Sequence, residues 1–83
     1  MESHEIVEIA IKKIRRAIFD CRIDYNIEPH YVKVPTWLLL GMRAYSEHHC
    51  FYIDEREKVV DVICGLTVCP TDLISTIDEI EVF

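Results

Sequence analysis

The chain reads as an α+β protein, a long N-terminal helix packed on a small, mainly antiparallel sheet with a second short helix after Gly41. Three observations predict this. Residues 4–23, HEIVEIAIKKIRRAIFDCRI, set Val7, Ile11, Ile14, Ile18 and Cys21 at helical spacing. The run VVDVICGLTVCPT, from residue 59, is rich in β-branched side chains. The ending EIEVF alternates strictly, with Ile80 and Val82 on one face and Glu79 and Glu81 on the other. No linker, low-complexity segment or convincing repeat divides the 83 residues, so residues 1–83 form one domain.

The first helix has its expected end signals. Ser3 is placed to cap it, and Glu5 and Glu8 sit at the positive end of the dipole. Glu8 with Lys12, and Arg16 with Asp20, are favourable pairs four residues apart. DYNIEPHY, with Asn26 and Pro29, breaks the pattern as a loop. YVKV, residues 31–34, alternates as a strand running into Pro35. TWLLLG is a short apolar run ending at Gly41; it reads first as a buried strand, with a helix starting at Thr36 as the rival. MRAYSEHH reads as helix, with Met42, Tyr45 and His49 on one face. DEREK, residues 54–58, is a charged turn, Gly65 marks a bulge or tight turn, and PTD is a further turn. Glu79 and Glu81 guard the terminal strand against edge-to-edge pairing.

Half of the chain, 51%, is hydrophobic, more than a single small domain hides easily, so a homo-oligomer is expected. The net charge of −6 is uneven. Residues 1–45 hold seven Lys/Arg against six Asp/Glu, a net of +1, whereas residues 46–83 hold two against nine, a net of −7. The acidic half argues against general nucleic-acid binding. MESHEIVEIA carries acids where a secretory leader has a basic start, and the longest apolar run, WLLLGM, is far too short for a membrane span. A cytoplasmic location without a membrane partner is expected. Cys21, Cys50, Cys64 and Cys69 are then free thiols.

HHC at residues 48–50 raises the question of a metal or nucleophile site. Zinc needs four converging ligands, yet His48 and His49 diverge as neighbours. Cys64 and Cys69 point to opposite faces of an unbroken strand, which only a break at Gly65 would change. Cys50 beside His49 in sequence is no evidence of a catalytic pair, and it heads the acidic half, where a thiolate is disfavoured. Two isolated glycines form no phosphate loop. No metal, cofactor or catalytic residue is expected, and the chain reads as a non-enzyme.

Two clusters have the chemistry of binding. Lys12, Arg15, Arg16 and Arg22 gather towards the C-terminal half of the first helix, where an anion would be received; the plainer reading is a solvated or subunit-contacting face. Trp37, Tyr45, Phe51 and Tyr52 surround Arg43 and His48, as stacking on a base or on a partner protein requires; the plainer reading is core or interface.

VPTWLLLGMRAY, a charged turn, VICGLTVCPT and the acidic ending STIDEIEVF together resemble small accessory proteins of tailed bacteriophages, over residues 34–83. The strand–helix–strand cadence is also similar to segments of phage capsid proteins, which implies a virion-structural reading. The accessory-protein resemblance implies stoichiometric binding in the host cytoplasm: blocking a host enzyme, or sequestering a host-defence nucleotide signal between subunits. The leading expectation is a non-catalytic homo-oligomer that sequesters an anionic small ligand. Arg15, Arg16 and Arg43 would neutralise its charge, and Trp37, Tyr45 or Tyr52 would stack on it. The alternatives are an inhibitor that meets a host protein through its acidic C-terminal half, including the stretch from Asp54 to Asp61, or a virion structural protein.

Overall fold

The computed structural model describes residues 3–83, with side chains from His4 onward, so the expected Ser3 cap lies outside the described residues. Helix α1 spans Ser3–Asp24, and strand β1 spans Tyr31–Pro35. Helix α2 follows over Thr36–Tyr45, then β2 over His49–Ile53, β3 over Val59–Ile63 and β4 over Leu66–Thr71. One 3₁₀ turn, Ile77–Glu79, precedes β5 at Glu81–Val82. The five strands form one mixed sheet in the order β2-β3-β4-β1-β5. Three pairings are antiparallel, and only β1 with β4 is parallel. The architecture is α+β, as expected.

The core lies between the helices and one face of the sheet. Alternation sends Val32 and Val34 of β1, Ile63 of β3, and Leu66 and Val68 of β4 to that face. Val7, Ala10, Ile11, Ile14 and Ile18 of α1 meet them, at the positions the helical period marked. Ile80 is buried, and Val82 is half-buried against the same cluster. The opposite face has no helix on it. A row of Cys50, Val62, Thr67 and Tyr31 crosses four strands there, and Tyr31 stacks on Phe83 at 5.4 Å between centroids.

Residues 36–41 are helix, not the strand that was the first choice, and the second helix begins before Gly41. The composition explains why. Between Trp37 and Tyr45 there is no β-branched residue, and Leu, Met, Arg and Ala all favour helix. Leu38, Leu39 and Met42 are buried, while Trp37 and Leu40 point outward. A strand would have put Leu38, Leu40 and Met42 together. At Gly41 a Cβ would lie 3.0 Å from Val7 Cγ2, so the missing side chain lets α2 cross close to α1. The helix stops at Tyr45, so His49 sits on β2 and not beside Met42 and Tyr45 on a helical face.

The hairpins obey local turn chemistry. Asp54 Oδ1 accepts the N–H groups of Arg56 at 2.8 Å and Lys58 at 2.9 Å, which closes the charged turn between β2 and β3. Cys64 and Gly65, with φ of 51° and 80°, make the two-residue turn between β3 and β4. Two left-handed residues in succession match the twist of a tight hairpin. This break leaves Cys64 in the turn, apart from Cys69 on β4. Pro70 and Thr71 complete β4, and the turn expected at PTD begins only at Asp72.

A pair of truncations tests the helical assignment. Leu38→Ala is expected to cost about 2–5 kcal/mol, and Leu40→Ala no more than about 0.5 kcal/mol, in chemical denaturation. Equal losses would restore the strand.

Candidate functional site

Asp61 is the buried polar side chain of the described core, with 6% of its surface exposed. It stands in VVDVI at the parity of Ile63, on the helix-covered face. Its charge is met from two elements. Arg43, in the last turn of α2, donates Nε–H to Oδ1 at 2.8 Å and Nη2–H to Oδ2 at 2.7 Å. His49 of β2 places Nε2 2.8 Å from Oδ1. The bidentate guanidinium holds the Asp61 carboxyl below its ordinary range, with His49 adding to the effect and burial opposing it. Phe51 and Cys50 flank the network on a shallow depression.

Arg43 is therefore a strut and not an open cation. Other basic residues are also committed. Arg16 pairs with Asp20 at 3.2 Å and lies over the Phe19 ring. Arg22 forks onto Glu28 at 2.6 and 2.8 Å, which draws the Glu28 carboxyl below its ordinary range. Lys13 reaches Asp78 at 3.6 Å. Among the described residues Lys12 and Arg15 make no ion pair, and Glu8 and Lys12 do not bridge as expected.

Arg15 faces two adjoining depressions. In the first, of about 330 Å³, it lies with Phe19, Arg22, His48 and Cys64 beside the β3–β4 turn. No carboxylate lines this hollow. Burial pushes the Cys64 thiol up, and the nearby Arg15 charge pulls it down. In the second, of about 340 Å³, Arg15 and Lys12 share the walls with Tyr45, His48, Glu8 and Glu47. His48 is thus common to both hollows, while its neighbour His49 is turned to Asp61.

No family model, curated protein or solved structure matches this chain. Function has to be read from its own surface.

The six residues expected to hold a ligand do not meet in one hollow of one chain. Arg15 and Tyr45 share a depression. Trp37 and Tyr45 line another, apolar one of about 400 Å³ with Ile6, Leu40 and Ala44. Trp37 is anchored there, its indole N–H donating to the Ser75 carbonyl at 3.0 Å. Arg43 belongs to the Asp61 network, Arg16 to Asp20, and Tyr52 projects from the helix-free sheet face. Phe19 and His48 of the Arg15 hollow were not among the six, and Asp61 was expected at the end of an acidic stretch from Asp54 that would meet a host protein. Its parity was the missed signal: an acid sharing the inward face with Ile63 needs a partner. Among the described residues no three His, Cys, Asp or Glu side chains group as a metal site, and the four cysteines are free. Among the described residues no helix is long and apolar enough to cross a membrane.

Removing the Asp61 charge tests the network. Asp61→Asn is expected to lower stability at neutral pH by about 2 kcal/mol. Because the folded carboxyl is depressed, its contribution is present above the unfolded value and lost as pH falls through the folded one. The gap between wild type and variant in urea titrations should therefore close as pH drops below about 4. A gap independent of pH would show that the carboxylate charge is not what holds the network.

Proposed function

We propose that the protein is a non-catalytic binder of a small anionic ligand of the nucleotide class, and that Arg15 is the residue that receives the charge. The observation that carries this reading is the hollow beside the β3–β4 turn. Two guanidinium groups and an imidazole converge there without a lining carboxylate; Arg22 is paired with Glu28, while Arg15 makes no ion pair among the described residues. An uncommitted, planar guanidinium at a concave, half-apolar surface favours a multiply charged oxyanion such as phosphate, two of whose oxygens it can meet with parallel N–H bonds. The Phe19 ring on the same wall offers a stacking surface for a base. The volume, about 330 Å³, lies at the lower end of small-molecule sites.

The reading through the acidic half has less to stand on. Asp54 spends its carboxylate on its own turn and Asp61 is internal, so the stretch from Asp54 to Asp61 presents Glu55 and Glu57 interleaved with Arg56 and Lys58. That is a mixed surface, without a concentrated negative field.

Calorimetric titration with inorganic phosphate and with adenosine monophosphate tests the proposal. Binding is expected for the nucleotide, weakening as salt is raised. Arg15→Ala should reduce it by roughly 10- to 100-fold, the loss of one charge-assisted contact. Arg16→Ala, already paired on the outer side of Phe19, should leave it within about twofold. Equal affinity in wild type and Arg15→Ala, or no heat from either probe, would overturn the assignment.

A further inference from the structure

The two edges of the sheet are treated differently. β5 is two residues long and begins with Glu81, a short, charged and protected edge. β2, at the other edge, is five residues of HCFYI without a carboxylate, lysine, arginine or proline. Phe51, Tyr52 and Ile53 are each more than half exposed. An uncharged open edge is unusual in a chain that is 29% charged.

The backbone fixes which groups this edge offers. Cys64 N–H donates to the His48 carbonyl, and Asp54 N–H donates to the Lys58 carbonyl. In the antiparallel register of β2 with β3, these bonds mark His48/Cys64 and Asp54/Lys58 as hydrogen-bonded pairs. Hydrogen-bonded and non-hydrogen-bonded pairs alternate, so Cys50 and Tyr52 also turn their N–H and C=O groups towards β3. His49, Phe51 and Ile53 turn theirs outward. Three donors and three acceptors are left along the free edge, with no described residue beyond them.

We infer that β2 pairs with β2 of a second copy, antiparallel, about a two-fold axis at Phe51. This register satisfies every outward group: Phe51 exchanges two hydrogen bonds with the partner's Phe51, and His49 and Ile53 each exchange two with the partner's Ile53 and His49. A slip of two residues leaves some of the six unpaired on each strand. A two-fold axis also makes the contact closed, so the edge is used up and no fibre grows. The side chains agree with the backbone. Phe51 meets its own copy on the helix-covered face, and Cys50 meets Tyr52 on the other. Neither strand carries a charge of its own to repel the other, apart from His49, which is already engaged with Asp61. For a chain of net charge −6, this uncharged strand is where self-contact costs least in repulsion. The result is a ten-stranded sheet with all four helices on one face. A contact of one strand against one strand is small, in the class of weak, concentration-dependent interfaces.

Because Phe51 meets itself, charge at this position repels across the axis, and opposite charges attract. Sedimentation velocity between about 1 and 100 µM, where an interface of this size associates, should show a dimer for the wild type. Phe51→Lys and Phe51→Glu should each be folded monomers by circular dichroism, and mixing them should restore the dimer. Phe51→Pro removes the outward N–H without touching the β3 ladder, and should also be monomeric. Arg15→Ala should remain a dimer, which separates this inference from the anion reading. A wild-type monomer would overturn it, including one that takes up an extended peptide at β2. So would charge variants that stay dimeric, which would point to the open sheet face, or folded monomers that fail to pair on mixing.

Discussion

The pairing of Asp61 with Arg43 and His49 is what makes the far half of the sheet part of the same body. Helix α1 packs on α2 and reaches the sheet near β5, so its apolar face covers the β1 side. The β2–β3 hairpin lies at the other end, beyond the densest part of the core. An apolar residue at position 61 would give the hairpin only contact area. A carboxylate gripped in two directions gives it an orientation, because the guanidinium fork fixes α2 relative to β3 and the imidazole fixes β2. Burying a charge costs desolvation energy that the partners must offset, so such a group contributes geometry more than net stability.

That network also sorts the basic residues. Of the arginines, Arg43 is tied to Asp61, Arg16 and Arg22 lie within reach of acids on their own side of the molecule, Arg56 sits beside Asp54 and Glu55 in its own turn, and Arg15 is left facing a hollow without a carboxylate. The count of positive charges in the first half of the chain is thus a poor guide to its binding capacity. What counts is which cation has no carboxylate nearby and faces a hollow. By that criterion the basic helix narrows to one residue and its surroundings.

Much of the fold was legible from periodicity. The helix from residue 4, the strand at YVKV and the charged turn at 54–58 follow from spacing and turn residues, whereas the alternating ending shortens to Glu81–Val82, because Glu79 turns back onto Ser75 and Thr76 in a 3₁₀ turn. The run from Thr36 to Gly41 was not, because a six-residue apolar stretch satisfies either period and only the absence of β-branched residues favours helix. The turn at Gly65 was half legible: glycine announced a turn, but Cys64 in a left-handed conformation did not announce itself. At the candidate site, Arg15 was visible as part of a basic cluster. Phe19 stands four residues beyond Arg15 on the same helix and follows from the helical period, whereas His48 and Cys64 join it only through the packing of α1 against segments far along the chain, which no local pattern encodes.

The parallel pair of β1 and β4 has a consequence for how the chain comes into being. β1 is made early, yet both of its neighbours in the sheet, β4 and β5, are made late. During synthesis, Val32 and Val34 therefore have only the two helices to lean on until residues 66–82 have emerged. The packing of α1 on α2 and the local β2–β3 hairpin can form early, but the layer between them closes only once β4 and β5 pair with β1. Until β4 and β5 are in place, the half-built core stays open to other chains.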